Sequence, residues 1–210
     1  MALRAVVFDY GMVLSGPPQT TAREELQRIS GLSHEELERL YWIDRHAYDR
    51  GNLTGLGFWK KLVADAGLNL SEDEIDQLNT WDAQMWSTAN PETLAWHKQL
   101  KEHGLQTAIL SNMGDSVLEN IQSKFAWISD FDVLIWSFQH NMIKPQPEIY
   151  HLLLERLGMA PEETVFLDDK IENIEAARQL GIHGLQFSTV DQLRKDLVAS
   201  GLDAWLPLPK

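Results

Sequence analysis

Four short apolar runs, each handing over to a polar or ionisable residue, constrain this chain more than any other feature. Ala5-Val6-Val7-Phe8 ends at Asp9, and Thr107-Ala108-Ile109-Leu110 ends at Ser111-Asn112. Val133-Leu134-Ile135-Trp136 precedes a loop reaching Lys144-Pro145, and Thr164-Val165-Phe166-Leu167 ends at Asp168-Asp169. A fifth run, Gly184-Leu185-Gln186-Phe187, follows. Short, continuously apolar runs read as strands buried on both faces, and helical patterns lie between most of them. The expected fold class is therefore α/β, a Rossmann-like, doubly wound parallel sheet under helical layers. Ligands of such sheets bind outside the carboxyl ends of the strands. Asp9, Ser111, Lys144, Asp168 and Asp169 are thus expected in one crevice.

The first two runs are too far apart for a single crossover helix. Between them, residues 22–29, 33–50, 56–67 and 71–87 have helical character. Ser33 with Glu36, and Ser71 with Glu74, have the spacing of a capping box, in which each side chain satisfies a free backbone N–H of the other. We therefore expect an α-helical cap domain at 15–88, inserted into a core made of 1–14 and 89–210. The stretch 206–210, Leu-Pro-Leu-Pro-Lys, reads as a tail.

Composition narrows the partners. The 210 residues can bury a sizeable core. A net charge of −13 argues against bulk attraction to nucleic acid or to an anionic membrane surface. It is compatible with a small anionic substrate, because a metal and a few local cations can reverse the field inside a pocket. With no cysteine, disulfides and thiolate chemistry are excluded. Arg4 and Asp9 interrupt the apolar N-terminal run, unlike a signal peptide, and no stretch approaches a membrane span. A cytoplasmic protein, monomeric or homodimeric, is the expectation.

The residues at the strand ends suggest phosphate chemistry. A carboxylate beside a glycine turn can attack phosphorus or ligate Mg2+, and Asp9 with Asp168 or Asp169 would form such a ligand set. Lys144 supplies a fixed cation and Ser111 a hydroxyl donor for phosphoryl oxygens. Phosphoryl transfer depends mainly on positioning and charge neutralisation, which these groups offer.

Phe8-Asp9-Tyr10-Gly11-Met12-Val13-Leu14, Leu110-Ser111-Asn112, Lys144-Pro145 and Phe166-Leu167-Asp168-Asp169-Lys170 resemble, in order, the four motifs of the haloacid dehalogenase superfamily. The stretches 144–150 and 168–182 are most similar to its phosphatases with a helical cap after the first strand. That group includes the glucose-1-phosphatase type and the N-terminal phosphatase domain of soluble epoxide hydrolase. The resemblance implies that Asp9 forms an aspartyl-phosphate that water then hydrolyses. It implies that Asp9, the Gly11 carbonyl and Asp169 hold Mg2+, with Asp168 acting through a bound water. Gly11, Met12, Ser111, Asn112 and Lys144 would line the phosphate site, and Asn173 would support Lys144 and the metal from behind.

One position departs from the family pattern. Most phosphatases of this superfamily carry a second Asp two residues after the nucleophile, as general acid and base; here it is Gly11. Losing a general acid costs about a hundred- to ten-thousand-fold in rate. The loss matters less for acidic leaving groups, so anomeric sugar phosphates or acyl phosphates are the expected substrates among small phosphorylated metabolites. Two rival readings follow from Gly11: a weakly catalytic binding or regulatory protein, and a metal-independent carbon–halogen hydrolase.

Within residues 15–88, Trp42, Arg45, Tyr48, Arg50, Trp59, Trp81 and Trp86 are candidates for substrate selection. Most of the tryptophans are expected in the helical core, and Arg45 and Arg50 in surface ion pairs. The seven histidines have no ligand spacing and are expected to be structural or exposed.

Overall fold

The computed structural model describes residues 2–210. Five strands, β1 (Ala5–Phe8), β2 (Gln106–Ser111), β3 (Val133–Trp136), β4 (Thr164–Asp168) and β5 (His183–Gln186), form one sheet in the order β3-β2-β1-β4-β5. Every pairing is parallel. The central position of β1 sets Asp9 between the ends of β2 and β4, where its amide donates to the Leu167 carbonyl (2.8 Å). The fifth strand begins and ends one residue earlier than its apolar run, because His183 pairs with Val165.

Successive side chains of a strand point to opposite faces, and the two faces have separate cores. Val6 and Phe8 belong to one core with Ile109 and Val165, covered by α6 (Pro91–Glu102), α7 (Asp115–Lys124) and α10 (Val190–Ala199). Ala5 and Val7 belong to the other with Ala108, Leu110 and Phe166, covered by α8 (Pro147–Leu157) and α9 (Ile171–Gln179). This is the doubly wound α/β arrangement expected from the sequence.

Five helices lie between β1 and α6: α1 (Thr20–Ser30), α2 (His34–Ile43), α3 (Arg45–Asp49), α4 (Gly55–Asp65) and α5 (Glu72–Met85). They enclose a third apolar core around Leu26, Phe58, Trp59 and Leu78. Both capping boxes form, at Ser33–Glu36 and Ser71–Glu74. The expected single helix over 33–50 is instead two. It breaks at Asp44 (φ −107°, ψ 7°), whose carboxylate pairs with Lys61 (2.9 Å). No glycine or proline marks the break, so it left no local signal in the sequence.

This helical insert is tied to the sheet domain by close backbone contacts. The Gly55 amide donates to Asp115 (2.8 Å), Asn120 donates to the Ala83 carbonyl (2.8 Å), and the Ser137 hydroxyl donates to the Asp49 carbonyl. Gly114 lies against the Tyr48 ring so tightly that a Cβ there would overlap it.

Residues 206–210 are not a free tail. Leu206 is buried, the Trp96 indole donates to the Pro207 carbonyl (2.7 Å), and Arg194 donates to the Pro209 carbonyl (2.8 Å). Among the described residues, no helix is long and apolar enough to cross a membrane.

Candidate active site

The carboxyl ends of β1, β2 and β4, the loop carrying Lys144 and one edge of the helical insert surround a cavity of about 120 Å³. Asp9, Gly11, Met12, Ser111, Asn112, Lys144, Asp169 and Asn173 all line it. Eight of the nine expected site residues thus share one wall, and the ninth, Asp168, lies directly behind it.

Lys144 is the hub. Its ammonium, 2% exposed as a residue, lies 2.9 Å from Asp9 and 2.6 Å from Asp168. Asn112 positions this lysine through its backbone: the side-chain amide donates to the Lys144 carbonyl (2.9 Å), and its oxygen accepts from the Lys144 amide (2.8 Å). Asp168 is fully buried and also accepts from Asn173 (3.0 Å to each oxygen) and from the Lys170 amide (2.8 Å). Its carboxylate is therefore a fixed support for Lys144, and it serves the turn before α9 as well.

The carboxylate oxygens of Asp9, Asp168 and Asp169 come within 4.8 Å of one another. One ammonium does not balance three carboxylates in a buried site. Burial pushes Asp9 up to about 7; Lys144 opposes this shift, whereas Asp168 and Asp169 add to it. Asp169 is raised by burial and then by Asp168, against Lys144 and Lys170. Burial alone would lower Lys144, but Asp168 and Asp9 outweigh it and hold it protonated. Hard oxygen donors with surplus negative charge, open to a cavity, fit a small divalent cation such as Mg2+.

The turn after β1 shapes the floor. The Asp9 carboxylate accepts from the Tyr10 amide (2.6 Å), and the Ser15 amide donates back to the Tyr10 carbonyl (2.8 Å). Met12 takes a left-handed conformation (φ 59°), and its amide donates to the Ser15 hydroxyl (3.1 Å). A non-glycine residue in that region is uncommon and strained, and such strain clusters at functional sites. Gly11, in contrast, has an ordinary extended conformation (φ −62°, ψ 132°). A Cβ on Gly11 would meet only Trp86, at 3.8 Å. The backbone therefore does not require glycine here.

The insert contributes Trp42, Arg45, His46, Asp49 and Trp86 to the cavity. Arg45 was expected in a surface ion pair; it is 6% exposed, bonded to Asp49 (2.9 Å) and Tyr41, and 3.6 Å from Asp82. The break at Asp44 turns α3 inward and carries Arg45 with it. Trp59 is core, as expected for most tryptophans, and Trp81 packs against that core, but Trp42 and Trp86 face the cavity. His46 borders the cavity too, unlike His97, which is buried, 3.1 Å from the Thr107 hydroxyl. The sequence did not single out Asp49, His46, Met113 or Val117, and Lys170 stood there only as the end of the fourth motif. Asp49 had one usable signal, its position four residues after Arg45 on a helix.

Fold and site together define a doubly wound α/β hydrolase with an acidic, lysine-bearing centre. The haloacid dehalogenase-like hydrolase family matches residues 4–181, and the chain belongs to that family. A protein of Mycobacterium tuberculosis named as a phosphatase is 28% identical over 204 residues, covering 94% of this chain and 93% of that one. Bifunctional epoxide hydrolase 2 of Mus musculus is 31% identical across 100% of this chain, which spans 41% of that longer protein. A HAD family enzyme from Bacteroides thetaiotaomicron, solved with magnesium and inorganic phosphate, superposes with a TM-score of 0.74. It is 23% identical, covering 89% of this chain and 94% of that one, a likeness of fold.

Proposed function

We propose that the chain is a magnesium-dependent phosphatase of a small phosphorylated metabolite, working through an aspartyl-phosphate at Asp9. The observation that carries this reading is the cluster of Asp9, Asp168 and Asp169 around the buried ammonium of Lys144. The phosphatase name of the mycobacterial relative, and the magnesium and phosphate bound by the Bacteroides enzyme, support it.

In this mechanism a carboxylate oxygen of Asp9 attacks phosphorus. The P–O bond to the leaving group breaks, and its electron pair goes to that oxygen, which takes a proton from solvent because residue 11 carries no acid. Water then attacks phosphorus of the aspartyl-phosphate, releasing inorganic phosphate and regenerating the carboxylate. Lys144, Ser111 and the backbone of Gly11, Met12 and Asn112 hold the phosphoryl oxygens. Asp168 and Asn173 keep the Lys144 ammonium aimed. Mg2+, held by Asp9, Asp169 and the Gly11 carbonyl with Asp168 acting through water, would neutralise the phosphoryl charge that otherwise repels Asp9. Residues 15–88 act as a cap that excludes water from the core of 1–14 and 89–210.

Dehalogenase chemistry needs no metal, so it gives no reason for three clustered carboxylates. A phosphate-release screen across phosphorylated metabolites with magnesium, with Asp9→Asn as the blank, tests the reading. Release that depends on both magnesium and Asp9 supports it. Halide release that survives a chelator, or tight metabolite binding without turnover, contradicts it.

A further inference from the structure

Hydrolysis of an aspartyl-phosphate requires water to lose a proton as its oxygen bonds to phosphorus, and Gly11 has no side chain to take it. Most of the ionisable groups on the cavity wall are already committed. Lys144 pairs with Asp9 and Asp168, the Tyr10 hydroxyl donates to the Trp86 carbonyl (2.8 Å), and Asp49 is bonded to Arg45 (2.9 Å). Asp169 belongs to the carboxylate cluster, and the Lys170 ammonium lies 5.4 Å from the Trp42 ring centre. His46 is the exception. It lines the cavity with Asp9 and Gly11, and among the described residues its imidazole has no hydrogen-bond or ion-pair partner.

His46 also stands on a fixed base. It belongs to α3, which is fastened to the sheet domain as well as to its neighbours in the insert. The Ser137 hydroxyl donates to the Asp49 carbonyl, and the Tyr48 ring packs against Gly114. The chain at Gly51 passes so close to the Phe138 carbonyl that a Cβ would overlap it. Arg45 ties the same turn to Asp49 and Asp82. The backbone of His46 is therefore anchored to the domain that carries Asp9. The residue itself is exposed, so a proton taken up by its ring can pass on to solvent.

We propose that His46 is the general base for hydrolysis of the aspartyl-phosphate, a catalytic residue supplied by the helical insert in place of a carboxylate at position 11. Imidazole is the side chain most often used for such a transfer. A neutral ring nitrogen takes a proton from water as the water oxygen bonds to phosphorus. The bond between phosphorus and the Asp9 oxygen breaks, its electron pair returns to the carboxylate, and the imidazolium passes its proton to solvent. A neutral imidazole does not protonate the leaving oxygen, so the first step keeps its dependence on leaving-group acidity. The inference rests on the phosphatase reading and divides its two steps. Transfer to Asp9 proceeds without His46, and hydrolysis needs it.

The test uses para-nitrophenyl phosphate with magnesium, and compares the natural sequence with His46→Gln and His46→Ala, both at an exposed position. kcat/KM reports the steps up to transfer onto Asp9, whereas kcat includes the hydrolysis. The expected result is a kcat lowered about a hundredfold in both variants, with kcat/KM within about threefold of the natural value. A rapid burst of nitrophenolate, about one per protein molecule, precedes the slow steady rate. Added imidazole raises the kcat of His46→Ala and leaves its kcat/KM unchanged. An unchanged kcat, a parallel fall in kcat and kcat/KM, or a fall that imidazole does not reverse overturns the role of His46 alone. No magnesium-dependent turnover of para-nitrophenyl phosphate or of acetyl phosphate by the natural sequence overturns the phosphatase reading and this inference with it.

Discussion

Lys144 and Asp168 form an ion pair of 2.6 Å in which neither side chain is more than 1% exposed. Removing one member of a buried pair leaves the other charged without a partner, which costs about 3–5 kcal/mol. Lys144→Met is therefore expected to lower unfolding free energy in urea by about that amount, since it strands both Asp168 and Asp9. Asp168→Asn keeps the shape and the contact with Asn173, and should cost less. An unchanged urea midpoint for Lys144→Met would show that this centre is not a coupled charge cluster.

On the phosphatase proposal, Gly11 sets the leaving-group dependence. With no acid at this position, the logarithm of the rate should fall steeply as the leaving group becomes more basic. Gly11→Asp is sterically accommodated, because the backbone is extended and the nearest atom to its Cβ is Trp86 Cζ3 at 3.8 Å. The variant is expected to flatten that dependence and to speed alkyl phosphates by about a hundred- to ten-thousand-fold, with little effect on acyl phosphates. A flat dependence in the natural sequence would remove the special role given to this glycine.

Arg45 holds two buried carboxylates, Asp49 and Asp82, in the insert. Burial raises Asp49, and Arg45 opposes that shift. Arg45→Met should therefore destabilise the fold by about 3–5 kcal/mol, most visibly near neutral pH, where both partners would stand unpaired. Thermal denaturation at two pH values checks this. A surface ion pair would give less than about 1 kcal/mol instead.

His97 gives the fold a dependence on acid. Burial, with Lys101 adding to it, lowers its pKa from 6.5 to about 4. The unfolded chain takes up a proton near 6.5 and the folded chain does not until about 4, so the unfolded state holds more protons between these values. Stability should then fall as pH drops from 6.5 to 4, with a slope of up to about 1.4 kcal/mol per pH unit from this group. Urea denaturation of His97→Phe across that window should lack this part of the slope. An identical slope in the variant would locate the acid sensitivity elsewhere.

Much of the cavity wall was legible because strand ends are legible. Asp9, Ser111 and Asp168 are reached by following an apolar run to its end, and a parallel sheet then brings them together. Lys144 was visible only through its place in the motif order, since nothing local distinguishes it from a loop lysine. The insert was harder to read. Its helices announced themselves through capping boxes, but their rotation decides which side chains meet the cavity. Trp59 and Trp42 look alike in sequence; one is fully buried and the other 49% exposed. The break at Asp44, after which Arg45 is buried, coincides with a tertiary ion pair to Lys61, to which no propensity of residues 33–50 points. Residues 206–210 misled for a related reason: proline-rich ends look unattached, while here two carbonyls accept bonds from Trp96 and Arg194.

The central claim is that Asp9 is the atom donor to phosphorus. Rapid acid quenching during turnover of acetyl phosphate with magnesium, followed by peptide mass spectrometry, measures this most directly. The account predicts one added phosphoryl group on the peptide containing Asp9, abolished by Asp9→Asn and by chelation of the metal. Sustained phosphate release with Asp9 never modified, or release undiminished in Asp9→Asn, would contradict it.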